Sequence, residues 1–221
     1  MNKILIFVLL AIAYSKDLIL IGDSRFVGMA ALLMGFDYST VTQYYGTGTN
    51  IRSTKSKSYG GFNVQVTAQV SASYNTYSTS SDIYKSMHSQ LKNAKAGTFV
   101  LVWLGINNVN AYDGTYNFVA NLAKTYSTLK FYAVSITGVN ESKITNIKNS
   151  LVTTFNTNLK TKVSKSGISN LSYLDILKSN NPIQIVSNGA TININDYSTD
   201  GLHYNKDGYS KLFAAMVGKL S

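Results

Sequence analysis

Five short apolar runs, each followed by a stretch with helical spacing, constrain this chain more than any other feature. The runs occupy residues 18–21, 64–70, 99–104, 131–136 and 171–174. In 64–70 only every second residue is apolar (Val64, Val66, Ala68, Val70), the pattern of a half-buried strand. Residues 99–104 are apolar without interruption, as a central parallel strand covered on both faces must be. Helical spacing follows in 25–35 through Phe26, Met29, Ala30 and Leu33. It returns after Ser81-Asp82 through Ile83, Met87 and Leu91, ending near Gly97, and again in 113–127. A long pattern opens at Ser142 and runs through Ile144, Ile147, Leu151, Phe155 and Leu159 to Gly167, and a last one covers 206–220. This alternation predicts an α/β fold, a doubly wound parallel sheet of five strands whose right-handed crossovers place helices on both faces. Two segments break the rhythm. Residues 38–61 and 180–197, the second holding the only proline, Pro182, read as hairpins or extended surface loops.

A chain of 221 residues with no linker and no internal repeat reads as one domain, here 16–221. Residues 1–15 read as a secretory signal: Lys3 is the positive end, 4–13 is apolar but too short to span a bilayer, and Ala11, Ala13 and Ser15 offer small residues for cleavage. The expected location is therefore extracellular, and no later stretch is long and apolar enough for a membrane helix. Cysteine is absent, which removes disulfides, a thiolate nucleophile and cysteine-ligated zinc. With two histidines, His88 and His203, a multi-histidine metal site is not expected either. The formal charge of +10 favours anionic cell-surface polymers, acidic glycans or membrane surfaces as partners. Lys143, Lys148, Lys160, Lys162 and Lys165 are scattered through helical stretches rather than interleaved with aromatics, so specific nucleic-acid binding is not expected.

Chemistry is carried by three separated segments. Gly22-Asp23-Ser24-Arg25 follows the first run, where an open parallel sheet puts its sites and where a helix N-terminus favours negative charge. Asp200-Gly201-Leu202-His203 precedes the last helix, and three residues place the carboxylate within reach of the imidazole. Ser24 with His203 as base and Asp200 as its orienting acid is the inventory of acyl transfer through a serine ester. His88 lies mid-helix among polar residues with no neighbouring acid and reads as an exposed surface histidine. Gly105-Ile106-Asn107-Asn108 ends the third run, and the Asn107 amide can donate to an oxyanion.

In that order the three segments resemble the blocks of the GDSL, or SGNH, hydrolase family, over residues 17 to the C-terminus. The resemblance implies a flavodoxin-like three-layer α/β/α sandwich and hydrolysis of carboxylic esters without a cofactor. By resemblance Ser24 is the nucleophile, Asn107 lines the oxyanion hole with the Ser24 amide, and Asp200 and His203 complete the triad. Two departures stand out. Asn108 replaces the family's usual aspartate, and the glycine whose amide should serve the oxyanion after the second strand is missing. Ser71 or Ser73 could supply that N–H, or Gly60 or Gly61 if the strand is shifted. Arg25 stands where the family often has leucine and receives no role. The substrate expected is a short acyl or O-acetyl ester, on a glycan or as a small molecule. An acyltransferase using the same triad, or a glycan-binding protein that has lost turnover, are the alternatives.

Overall fold

The computed structural model describes residues 15–36, 50–198 and 200–220. Residues 1–14 of the expected signal and 38–49 of the first irregular segment lie outside the described residues.

Strand β1 (Lys16–Gly22) is the middle of the architecture, paired in parallel with β4 (Phe62–Gln69) on one side and β5 (Phe99–Trp103) on the other. Strands β6 (Lys130–Val134) and β7 (Leu171–Leu174) extend the sheet in parallel beyond β5. Taken in chain order, the five parallel strands lie 2-1-3-4-5, the flavodoxin-like arrangement, as expected. Two short strands that no periodicity announced, β2 (Asn50–Arg52) and β3 (Lys57–Tyr59), pair antiparallel with β4 and bring the sheet to seven strands. Every residue of β5 and the last five of β1 are buried, which is why their sequences carry no polar alternation.

The helices are α1 (Ser24–Gly28), α2 (Asp82–Asn93), α3 (Tyr112–Thr125), α4 (Asn149–Ser164) and α5 (Lys206–Val217). Ser81 caps α2 through its hydroxyl, which accepts the Tyr84 N–H at 3.2 Å. Helices α3 and α4 pack on one another, and α5 packs against the turn that continues α1. Two expected helices come out shorter. α1 gives way after one turn to a π-helical turn, Met29–Leu33. α4 starts seven residues after Ser142, because the side chain of Asn149 is spent on the preceding loop. Its Oδ1 accepts the Val139 N–H and its Nδ2 donates to the Val139 carbonyl, both at 2.9 Å. Ile144 and Ile147 still pack against the core from that loop.

The second irregular segment is a small antiparallel sheet of β8 (Leu177–Lys178), β9 (Asn181–Ser187) and β10 (Ala190–Asn193). Its hairpin turns at Asn188-Gly189, both with positive φ, the pairing such two-residue turns demand. Pro182 accepts the Gly138 N–H at 2.7 Å and so ties this sheet to the loop after β6.

That loop is held from below by Asn156 of α4, which is fully buried. Its Oδ1 accepts the Ile136 N–H at 2.9 Å and its Nδ2 donates to the Ile136 carbonyl at 2.8 Å. Replacing it by leucine leaves two buried backbone groups without partners at about 1–3 kcal/mol each. Asn156→Leu should therefore lower the free energy of unfolding by about 2–6 kcal/mol, read by urea titration; a loss under about 0.5 kcal/mol would contradict this account of the loop.

Candidate active site

The carboxyl ends of β1, β4 and β5 meet at one rim, with Gly22 level with Ala68 and Trp103. A side chain at Gly22 would strike the Phe26 ring at 2.7 Å and the Trp103 carbonyl at 2.8 Å, so only glycine lets β1 leave the sheet there. Asp23 then caps α1, its Oδ1 accepting the Arg25 N–H at 2.9 Å, and Ser24 is the first helical residue. Ser24 is almost wholly buried.

The other half arrives from the turn ahead of α5, which Asn205 caps by accepting the Gly208 N–H at 2.9 Å. Asp200 Oδ1 accepts the N–H groups of Leu202 and His203 at 2.8 and 2.7 Å, folding the turn onto itself. Its second oxygen, Oδ2, lies 2.6 Å from His203 Nδ1, and His203 Nε2 lies 2.8 Å from Ser24 Oγ. With the Nδ1 proton directed at Asp200, the neutral ring presents a lone pair to the serine hydroxyl. Partial burial pushes the Asp200 carboxyl up. The hydrogen bonds from the His203 ring, the His203 N–H and the Leu202 N–H outweigh it and hold the group well below the usual carboxylate range. Asp23 moves the other way: burial pushes its carboxyl up, only partly opposed by the Arg25 charge and N–H and by His203.

Asn107 sits at the same rim in a 3₁₀ turn, Ile106–Asn108, after Gly105. Gly105 has φ of +143°, and a Cβ there would lie 2.3 Å from the Phe155 ring. One amide hydrogen of Asn107 is donated to the Ala72 carbonyl at 2.9 Å, which fastens the turn after β5 to the turn after β4. Of the residues considered for the second amide, two lie at the wrong end of the sheet. Gly60 and Gly61 form the β3–β4 turn, and Gly61 accepts the Lys16 N–H. That is six strand residues before Gly22, roughly 20 Å away at the usual rise. The Ser73 N–H is taken by Thr76 Oγ1 at 3.1 Å. Ser71 is next to Ala72 and has φ of +61°, a left-handed conformation that favours the absent glycine. Asn108 is exposed.

Three further residues become meaningful only in three dimensions. Tyr77 is buried and its hydroxyl spans the Gly22 carbonyl at 2.7 Å and the Thr67 carbonyl at 3.0 Å, bracing the ends of β1 and β4. Arg25 is buried and donates to the Thr137 and Gly138 carbonyls. His88 is half-buried rather than exposed. Its ring packs on Tyr84 at 4.0 Å, Nδ1 meets the Tyr126 hydroxyl, and burial lowers its pKa. It stands apart from the Ser24 rim, on α2. Among the described residues no group of three histidine or acidic side chains is placed to hold a metal ion, and no helix is long and apolar enough to cross a membrane. A cavity of about 240 Å³ lined by Asp17, Asn63 and Lys95 opens at the amino ends of the strands, opposite Ser24.

The family model for GDSL-like lipase/acylhydrolase matches residues 18–216. A search of curated proteins gave no match. Among solved structures, a lipase/acylhydrolase from Enterococcus faecalis is 13% identical with a TM-score of 0.56, over 92% of this chain and 94% of that one. Phospholipase A1 from Streptomyces albidoflavus is 11% identical with a TM-score of 0.53, over 94% and 100%. The catalytic domain of peptidoglycan O-acetyltransferase A from Streptococcus pneumoniae is 18% identical with a TM-score of 0.51, over 93% and 92%. With the family model covering nearly the whole described chain, this protein belongs to the GDSL-like lipase/acylhydrolase family, the SGNH hydrolases, and is a carboxylic ester hydrolase.

Proposed function

We propose that this protein is a secreted serine esterase that removes short acyl or O-acetyl groups, from glycans among other carriers, through Ser24, His203 and Asp200. The observation that carries the reading is the unbroken contact from Asp200 Oδ2 through the His203 ring to Ser24 Oγ. Ser24 Oγ attacks the ester carbonyl carbon as its proton passes to His203 Nε2. The carbonyl oxygen becomes an oxyanion facing the N–H groups of Ser24 and Ser71 and the second amide hydrogen of Asn107. One such donor is worth about 3–4 kcal/mol of barrier. The tetrahedral intermediate collapses, the alcohol leaves with the proton from His203, and the acyl group stays on Ser24. Water then attacks the acyl carbon as His203 takes its proton; the second tetrahedral intermediate collapses, His203 returns that proton to Ser24 Oγ, and the carboxylic acid departs. Asp200 steadies the imidazolium in both halves.

An acyl-enzyme exposed to a glycan hydroxyl instead of water gives transfer instead of hydrolysis. The similarity to a peptidoglycan O-acetyltransferase domain makes acetylated cell-wall glycans the first substrates to assay. The charge of +10 supports attraction to such anionic surfaces.

Four experiments test the reading. A fluorophosphonate probe should label the protein, p-nitrophenyl acetate should be hydrolysed, and both signals should vanish in Ser24→Ala; equal signals from the two proteins would identify a binding protein without turnover. Asp200→Asn should lower kcat by about 10²–10⁴. Because the native carboxyl is held low, the stability its charge contributes is full above the ordinary carboxylate range and is lost progressively as the pH falls from that range toward the lowered native value. Since the same carboxyl stays ionised in the native enzyme, the acid limb of kcat/KM should show no ionisation of Asp200 near pH 4, which a pH profile reads directly. Ser71→Gly relieves a left-handed serine costing about 1–2 kcal/mol but adds roughly 0.5–1 kcal/mol of unfolded-chain entropy. Stability should stay within about 1 kcal/mol and turnover should hold or rise; a hundredfold loss would show that the serine hydroxyl, not its N–H, does the work.

A further inference from the structure

Arg25 follows the nucleophile directly, where leucine would be usual, and is 1% exposed. A buried guanidinium is costly unless its donors and charge are answered. Here the two Nη groups are answered by the segment after β6, while Nε is buried without a hydrogen-bond partner among the described residues. Nη1 donates to the Thr137 carbonyl at 2.9 Å and Nη2 to the Gly138 carbonyl at 3.3 Å. The flat group lies 5.5 Å from the Trp103 ring and 5.9 Å from the Tyr204 ring, within cation–π range of both. Asp23 feels its charge, but the hydrogen bond between the two residues runs to the Arg25 backbone.

Those partners lead back to the histidine. The Thr137 hydroxyl and the Tyr204 hydroxyl are 2.8 Å apart, both residues are buried, and Tyr204 is the residue after His203. Two residues beyond Gly138, the Asn140 N–H donates to the Gly201 carbonyl inside the Asp200–His203 turn at 2.9 Å. The contacts therefore close a ring: Ser24 to Arg25 along the chain, Arg25 to Thr137, Thr137 to Tyr204, Tyr204 to His203 along the chain, and His203 Nε2 back to Ser24 Oγ. We infer that Arg25 is a positioning residue for the esterase reaction, its buried guanidinium setting the distance between Ser24 and His203 through Thr137 and Tyr204. Leucine in that place could fill the space but could not fasten the nucleophile's turn to the loop after β6, which itself bonds to Tyr204 and Gly201 beside the histidine.

The inference rests on the proposed esterase reading, and its test separates the two. Arg25→Leu, Arg25→Lys and Tyr204→Phe are compared with wild type and Ser24→Ala by thermal melting, by titration of active sites with a fluorophosphonate, and by kcat and KM for p-nitrophenyl acetate. Per titrated site, folded Arg25→Leu should lose about 10- to 100-fold in kcat, the scale of a misplaced catalytic pair, with KM changed less than threefold. Arg25→Lys should recover part of the loss. Tyr204→Phe keeps the ring and removes one hydroxyl, and should lower kcat about threefold or more. A folded Arg25→Leu with kcat within twofold of wild type overturns the inference, as does a loss that vanishes once folded protein is counted. Should Arg25→Leu fail to fold, Tyr204→Phe decides, and wild-type kcat in that variant overturns the inference. Absence of Ser24-dependent turnover in the wild type overturns the esterase reading and this inference together; wild-type turnover with indifferent variants overturns this inference alone.

Discussion

The insertion of β1 between β4 and β5 is the constraint on which the rest of the structure depends. Because β1 is paired on both edges and buried on both faces, its register with its neighbours is set along its whole length. That register brings Gly22, Ala68 and Trp103 level at one rim, and three loops leave from there. A slip of one residue would turn the apolar side chains of β1 to the opposite face and carry Ser24 away from the Asn107 turn. Tyr77 braces this rim by bonding to the ends of β1 and β4 together, and Asn107 joins the turns after β4 and β5. The topological switch of the sheet, between its first and third parallel strands, coincides with the serine, as the general rule for open α/β sheets expects.

The two aspartates at the rim illustrate how environment divides identical side chains. Asp200 keeps one face to solvent and collects two backbone N–H groups and the imidazole, so it stays ionised and can support a positive ring. Asp23 is closed off, and burial pushes its carboxyl up despite the neighbouring Arg25. Its work is local: it caps the short helix that presents Ser24. Arg25 extends that presentation outward to the loop after β6, and Asn149 and Asn156 tie the same loop to α4 with paired side-chain hydrogen bonds. A loop held by this many buried polar contacts gives the histidine turn a firm neighbour without any disulfide.

Much of the fold was legible because the pattern that reveals it is local. Uninterrupted apolar runs mark strands covered twice, and helical spacing marks the crossovers between them. Where reading failed, a distant contact had overruled local preference. The stretch from Ser142 has helical periodicity, yet Asn149 and Asn140 commit their hydrogen bonds to Val139 and Gly201, so the helix begins late. Strands β2 and β3 are three residues each and exist only because β4 offers an edge to pair with. Ser24, Asn107, Asp200 and His203 were legible as residue types in ordered blocks. Arg25 and Tyr77 were not, since burial and hydrogen-bond partners more than a hundred or fifty positions away leave no trace in spacing.

The order of strands and helices, the lack of thiol chemistry, and the small set of groups able to act on an ester follow from the amino-acid sequence, because composition and periodicity act through neighbours along the chain. Which of those groups meet was decided by tertiary structure. Parallel pairing brought positions 24 and 203 to 2.8 Å, sent Gly60 and Gly61 to the far rim, and left Ser71 in a backbone conformation suited to glycine. The physical reason is that strand register and buried hydrogen bonds are satisfied only by the whole chain at once, so their outcome cannot be summed from its segments.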